Sequence, residues 1–158
     1  MQSHTYPVRM IVLVAAALVS LSGAVLAGDP VEPTSYDREA CLMLRKAIMA
    51  DDFREARRIL CRIETSKVSD KTLRGAVSYS MRCCDLSIEL GICRSQEPSL
   101  ASVLKNIDYR ACLRAVLDDG ISGAPAKAKA LFDEAVALRA GLERFQDDLK
   151  HLRRAYGR

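Results

Sequence analysis

Tryptophan is absent from this chain, aromatic residues make up only 5% of it, and its two histidines are His4 and His151. Each shortage removes a class of function. A chain so poor in aromatic faces is poorly supplied with platforms on which bases or sugars would stack. With His151 the one histidine past the N-terminal segment, a metal centre would need closely spaced cysteines, and no C-x-x-C pair occurs. The same gap removes a thioredoxin-like redox motif. Glycine-rich phosphate loops, G-x-S-x-G and H-E-x-x-H are also missing, so no metal and no cofactor is expected. Nor is there a large excess of one charge: 24 Lys+Arg stand against 20 Asp+Glu, a net charge of +4 with the signs interleaved. That is a solvated surface and not the footprint of a nucleic-acid binder.

What is present begins with a targeting signal. Arg9 supplies a positive start, Met10 to Ser22 an apolar stretch, and Val25-Leu26-Ala27 a small-residue cleavage site. Cleavage near Ala27 predicts a periplasmic or extracellular protein. The alternative is a membrane anchor left uncleaved, since Met10 to Ala27 carries no charge and is just long enough to span. Asp29 stands where a lipoprotein signal requires cysteine, so lipid attachment is not expected.

Six cysteines follow: Cys41, Cys61, Cys83, Cys84, Cys93 and Cys112. An even number behind an export signal predicts a disulfide framework in an oxidising compartment. Cys41 and Cys61 lie about ten residues out on either arm of a turn near Ala50 and Asp51, which predicts the first bridge. Cys83 and Cys84 are adjacent on a helix and point about 100° apart, so they look for different partners. Cys93 and Cys112 are those partners, in a pairing that spacing leaves open.

Helical periodicity runs through the rest, with no strand-like alternation. A first helix is predicted over Tyr36 to Met49, with Ala40, Leu44, Ala47 and Ile48 on one face. Asp51-Asp52 cap a second helix carrying Phe53, Ala56, Ile59, Leu60 and Ile63, and the two form a hairpin. Asp52-Phe53-Arg54-Glu55-Ala56 is similar to the turn of a tetratricopeptide unit, but Leu44, Val68 and Ser87 depart from that pattern and the family is not assigned. Ser69 is the predicted N-cap of a third helix ending at Gly91. A fourth runs from Leu100 to Leu117, broken near Asn106 to Asp108. The prediction is therefore an all-α, disulfide-stapled bundle of four to five helices. Residues 1–27 are the signal peptide, 28–35 an extended leader, 36–118 a disulfide-linked helical domain, 119–124 a linker and 125–158 a long C-terminal helix.

That last helix, opened by Pro125, has the strongest pattern of all. Leu131, Ala135, Leu138, Leu142, Phe145, Leu149, Leu152 and Tyr156 step by four and three, an a/d stripe under four heptads long. Such a stripe serves either an intramolecular bundle or a parallel homodimer, for which Glu134–Arg139 and Asp148–Arg153 would be complementary flanking pairs. Leu131, Leu138, Leu142, Phe145, Leu149, Leu152 and Tyr156 are accordingly the candidate interaction residues.

No constellation for catalysis emerges. His151 sits in the basic end Lys150-His151-Leu152-Arg153-Arg154, where cations complement a helix C-terminus. Of the acidic doublets, Asp51-Asp52 and Asp118-Asp119 lie at helix boundaries and Asp147-Asp148 on a polar helix side. The chain thus reads as an exported, non-enzymatic protein-interaction module of the adaptor, inhibitor or immunity type, with an unidentified protein partner. The alternative is a structural coiled coil joining an envelope assembly through residues 125–156. A third contact, the basic C-terminus against an anionic surface, is the weakest reading.

Overall fold

The computed structural model describes residues 32–50, 52–92, 104–118, 120 and 122–157. Their elements are all helical: α1 (Ser35–Ile48), α2 (Phe53–Leu60), a short 3-10 turn (Thr65–Lys67), α3 (Lys71–Glu89), α4 (Tyr109–Asp118) and α5 (Ala124–Tyr156). None of these helices is long and apolar enough to cross a membrane. The candidate signal and Cys93 lie outside the described residues.

Local chemistry explains the helix starts. Thr34 and Asp37 form a capping box at α1: the Thr34 hydroxyl oxygen accepts from the Asp37 N–H at 3.0 Å, and the Asp37 carboxylate accepts from the Thr34 N–H at 3.1 Å. Asp52 caps α2 by accepting from the Arg54 N–H at 2.7 Å. At α3 the cap is Asp70, which accepts from Thr72 N–H at 2.8 Å and Leu73 N–H at 3.2 Å. Ser69, the residue expected there, instead donates its N–H and hydroxyl to the buried Asp37 carboxylate. The α3 cap is thus displaced by one residue because a long-range acceptor claims the serine. Gly91 closes α3 with φ 73°, and Gly123, at φ 84°, precedes α5, both in the left-handed region that favours glycine.

Two apolar clusters make up the interior, and α3 and α5 run through both. The first joins α1, α2 and the first half of α3 to the far end of α5, around Leu44, Leu60, Val68, Leu73, Val77 and Leu152. In the second, Leu86, Leu104, Ile107, Val116, Ala128 and Leu138 join the end of α3 to α4 and the start of α5. Tyr79 packs against both clusters, stacks on Phe145 with ring centroids 4.4 Å apart, and donates its hydroxyl to the Leu138 carbonyl at 2.6 Å.

The adjacent cysteines divide between the clusters: Cys84 belongs with Cys41 to the first, and Cys83 with Cys112 to the second. Their opposed directions follow the helical angle, as the sequence suggested. The disulfide staples do not appear, however. The five described cysteines, Cys41, Cys61, Cys83, Cys84 and Cys112, are free. Cys41 faces inward toward the end of α5, whereas Cys61 is exposed at the C-cap of α2 beside Arg57. Equal height on a hairpin brings two Cα atoms level, but a bridge also needs Cβ vectors that converge. One further expectation is corrected by exposure. Ile48, placed on one face with Ala40, Leu44 and Ala47, is 41% exposed.

Candidate functional site

The C-terminal end of α5 lies against α1, and the seam between them is an apolar groove. Leu44 and Ile48 form the α1 wall, Leu149 and Leu152 the α5 wall, and Met49 one end, around a cavity of about 170 Å³. Arg45 and Arg153 stand on its two rims. A second hollow, of about 450 Å³, continues from it past Arg45 and Tyr156 and adds Arg38, Arg154 and Leu42 to its lining. Among the described residues, no carboxylate lines either hollow. Leu42 and Met49 are 57% and 79% exposed, among the most exposed large apolar side chains described.

The groove arises from two helical phases read together. On α1 the inward residues Asp37, Ala40, Cys41, Leu44 and Ala47 recur every three or four positions, and Arg38, Leu42, Arg45 and Met49 follow the same spacing one step round the helix. On α5, Leu149, Arg153 and Tyr156 repeat the pattern beside buried Leu152. The Tyr156 hydroxyl is fixed by donating to Asp70 at 2.8 Å, and burial together with that bond raises its pKa, so the phenol stays neutral. Among the described residues, Arg38, Arg45, Arg153 and Arg154 form no ion pair, unlike Arg57, Arg58 and Arg82, which pair with Asp85, Glu55 and Glu134.

The candidate interaction residues fall into two groups. Leu138, Phe145 and Leu152 are buried inside the bundle, and Leu131 and Leu142 pack half-buried against the second cluster. The heptad stripe is therefore the inward face of α5, against α3, α4 and α1. Glu134, expected to serve a dimer, is held within the chain by a two-pronged pair with Arg82 at 2.7 and 2.9 Å, and Arg139 lies over the Phe132 ring. Only Leu149, Leu152 and Tyr156 reach the groove. The basic tail splits in the same way: Arg153 and Arg154 line the hollows, while Lys150 pairs with Asp147 at 2.8 Å.

Sequence reasoning missed Arg38, Leu42, Arg45 and Met49. The available signal was two large apolar residues off the inward stripe of α1, each flanked by an arginine at helical spacing.

His151 is exposed on α5. Asp52 is a helix cap, and no group of three or more His, Cys, Asp or Glu side chains converges among the described residues. Burial pushes the Cys83 thiol up to about 12 and the Cys84 thiol to about 11, which leaves them protonated and poor nucleophiles. No protein family, curated protein or solved structure matches this chain.

Proposed function

We propose that the protein is an exported helical interaction module whose contact surface is the groove between α1 and the end of α5, working by binding and without catalysis. The observation that carries this reading is the groove itself. It is the place where an apolar hollow, protruding aliphatic side chains and uncommitted cations meet on one surface. Clustered exposed apolar residues rimmed by polar ones are the physical mark of a contact surface, whereas such residues scattered singly are ordinary. The α5 stripe, whose largest residues are already covered within the chain, has less to offer a second copy. Export rests on Arg9, the apolar Met10 to Ser22 and the Val25-Leu26-Ala27 site.

The test is site-specific photo-crosslinking. A photoreactive residue at Met49 should join the protein to another polypeptide in the exported fraction, and the same residue at Lys129 should not. If Met49 gives no adduct above the Lys129 background, the groove is not a contact surface. N-terminal sequencing of the exported protein checks the compartment, with Gly28 as the expected first residue.

A further inference from the structure

We infer that the occupant of the α1/α5 groove is a short acidic segment of a partner protein that inserts one large apolar side chain between Leu44, Ile48, Leu149 and Leu152 and sets its carboxylates against Arg45 and Arg153. The inference rests on the proposed function and adds the chemistry of the partner. Three observations favour it over other anionic ligands.

The first is charge. Arg38, Arg45, Arg153 and Arg154 surround the two hollows, no acidic side chain lines them, and none of the four forms an ion pair among the described residues. The carboxylates that act on Tyr156, Asp37 and Asp70, are committed elsewhere. Asp37 accepts from Thr34 and Ser69, and Asp70 from Thr72, Leu73 and Tyr156. Guanidinium groups with no internal partner are matched to carboxylates, which they bind in a two-pronged geometry.

Size is the second. A cavity of about 170 Å³ is close to the roughly 150 Å³ apolar cavity that accepts a single benzene. It takes one leucine- or phenylalanine-sized anchor. A lipid acyl chain would have to continue into the adjoining hollow, where Arg38, Arg45 and Arg154 would meet its apolar end.

The third is the character of the walls. They are aliphatic, with Tyr156 the one aromatic residue lining them among the described residues, so nucleic-acid bases find little to stack on and a sulfated polysaccharide has no apolar group for the hole. An anchor in a pocket, ringed by charge pairs, is the usual layout of a protein contact in which a few residues supply most of the affinity.

The experiment uses residues 28–158 as exported and a random twelve-residue peptide display library. Enriched peptides should carry two or more Asp or Glu flanking a large apolar residue. A synthetic copy of the strongest should bind at least tenfold more weakly to Arg45→Glu/Arg153→Glu and be unaffected by Lys129→Glu at the other end of α5. The double reversal should in turn bind the same peptide with Lys in place of its acids. Arg45→Gln/Arg153→Gln, with helicity checked by circular dichroism, guards against misfolding of the reversal and should also weaken binding. Neutral or basic enriched peptides, or acidic peptides indifferent to both double variants, would overturn the inference. So would groove-dependent binding to phosphatidylglycerol vesicles, with none to phosphatidylcholine and no peptide enriched. A Met49 crosslink to a protein alongside enrichment of neutral peptides overturns the acidic class and leaves the interaction reading standing.

Discussion

Tyr156 and Asp70, 86 positions apart in the chain, are joined by a hydrogen bond of 2.8 Å that ties the last turn of α5 to the first turn of α3. Asp70 is already the N-cap of α3, accepting from Thr72 and Leu73, so one carboxylate starts one helix and holds the end of another. The bond fixes the tyrosine that lines both hollows of the groove.

Removing the hydroxyl alone tests that arrangement. Tyr156→Phe keeps the ring and its packing but loses a bond to a charged acceptor, which is worth roughly 1.5 to 3 kcal/mol. The expected result in urea denaturation is a loss toward the lower end, because Asp70 retains its capping partners. Hydrogen exchange should speed up in the last two turns of α5 and remain unchanged in α4, where no contact with Tyr156 is made.

Asp37 is a buried carboxylate whose protonation should weaken the fold in acid. Burial works to raise its pKa, but hydrogen bonds from Ser69 and Thr34 outweigh that cost and bring it down to about 2 from an ordinary 3.8. A carboxyl depressed in this way adds stability that is complete above the unfolded value and is lost as pH falls through the folded one. The window therefore runs from about pH 4 down to about pH 2, and the shift corresponds to about 2 kcal/mol. Asp37→Asn should cost a similar roughly 2 to 3 kcal/mol at neutral pH, since it removes a buried acceptor of several bonds. Its denaturation midpoint should also vary less with pH across that window than that of the unaltered protein.

Which parts of this structure were legible beforehand follows from which interactions are local. Capping by Asp52 and the stop at Gly91 depend on residues within one turn and are visible in the sequence, while Pro125 marks the start of α5 one residue past its first position, Ala124. The divergence of Cys83 and Cys84 is likewise fixed by the helical angle. The α3 cap went to Asp70 because Ser69 was claimed by Asp37, 32 positions away. Nor does a period of three and four say what a stripe will face. The same leucines would serve a dimer, and here they meet α3 and α4. The groove was the least legible feature, because its walls at Ile48 and Leu149 are about a hundred positions apart.

Two helical glycines, alike in sequence, should respond with opposite signs to alanine. A helix-interior glycine ordinarily costs about 0.8 to 1 kcal/mol relative to alanine. Gly75 on α3 has open space where a Cβ would stand, so Gly75→Ala should gain up to about that amount. A Cβ on Gly141 would sit 3.1 Å from Cε2 of Tyr79. That ring is held by Phe145 on one side and by the Leu138 carbonyl at its hydroxyl, so it has little freedom to withdraw. Gly141→Ala should therefore lose roughly 1 to 3 kcal/mol, as overpacked sites do. Thermal melts of the two variants beside the parent protein provide the comparison. A stabilised Gly141→Ala would mean that Tyr79 is less firmly held than its contacts indicate.

The thiols offer the sharpest test of how the bundle is held. The thiolate is the reactive form, and burial raises the pKa of Cys83 to about 12 and of Cys84 to about 11. At pH 8 roughly a thousandth of Cys84 or less would be ionised, and both side chains are shielded from reagent as well. Cys41 and Cys112 are buried too, and burial raises their pKa values in the same direction. Cys61 is different: it is exposed, at the C-cap of α2 beside Arg57. Iodoacetamide applied to the folded, unreduced protein at pH 8 should modify Cys61 at least a hundredfold faster than Cys41, Cys83, Cys84 or Cys112, as read by peptide mapping. In urea the difference should vanish. If Cys61 became reactive only after dithiothreitol, its sulfur would be bonded in the exported protein, and apolar packing with the Arg57–Asp85 pair would no longer account in full for how α2 is held against α3.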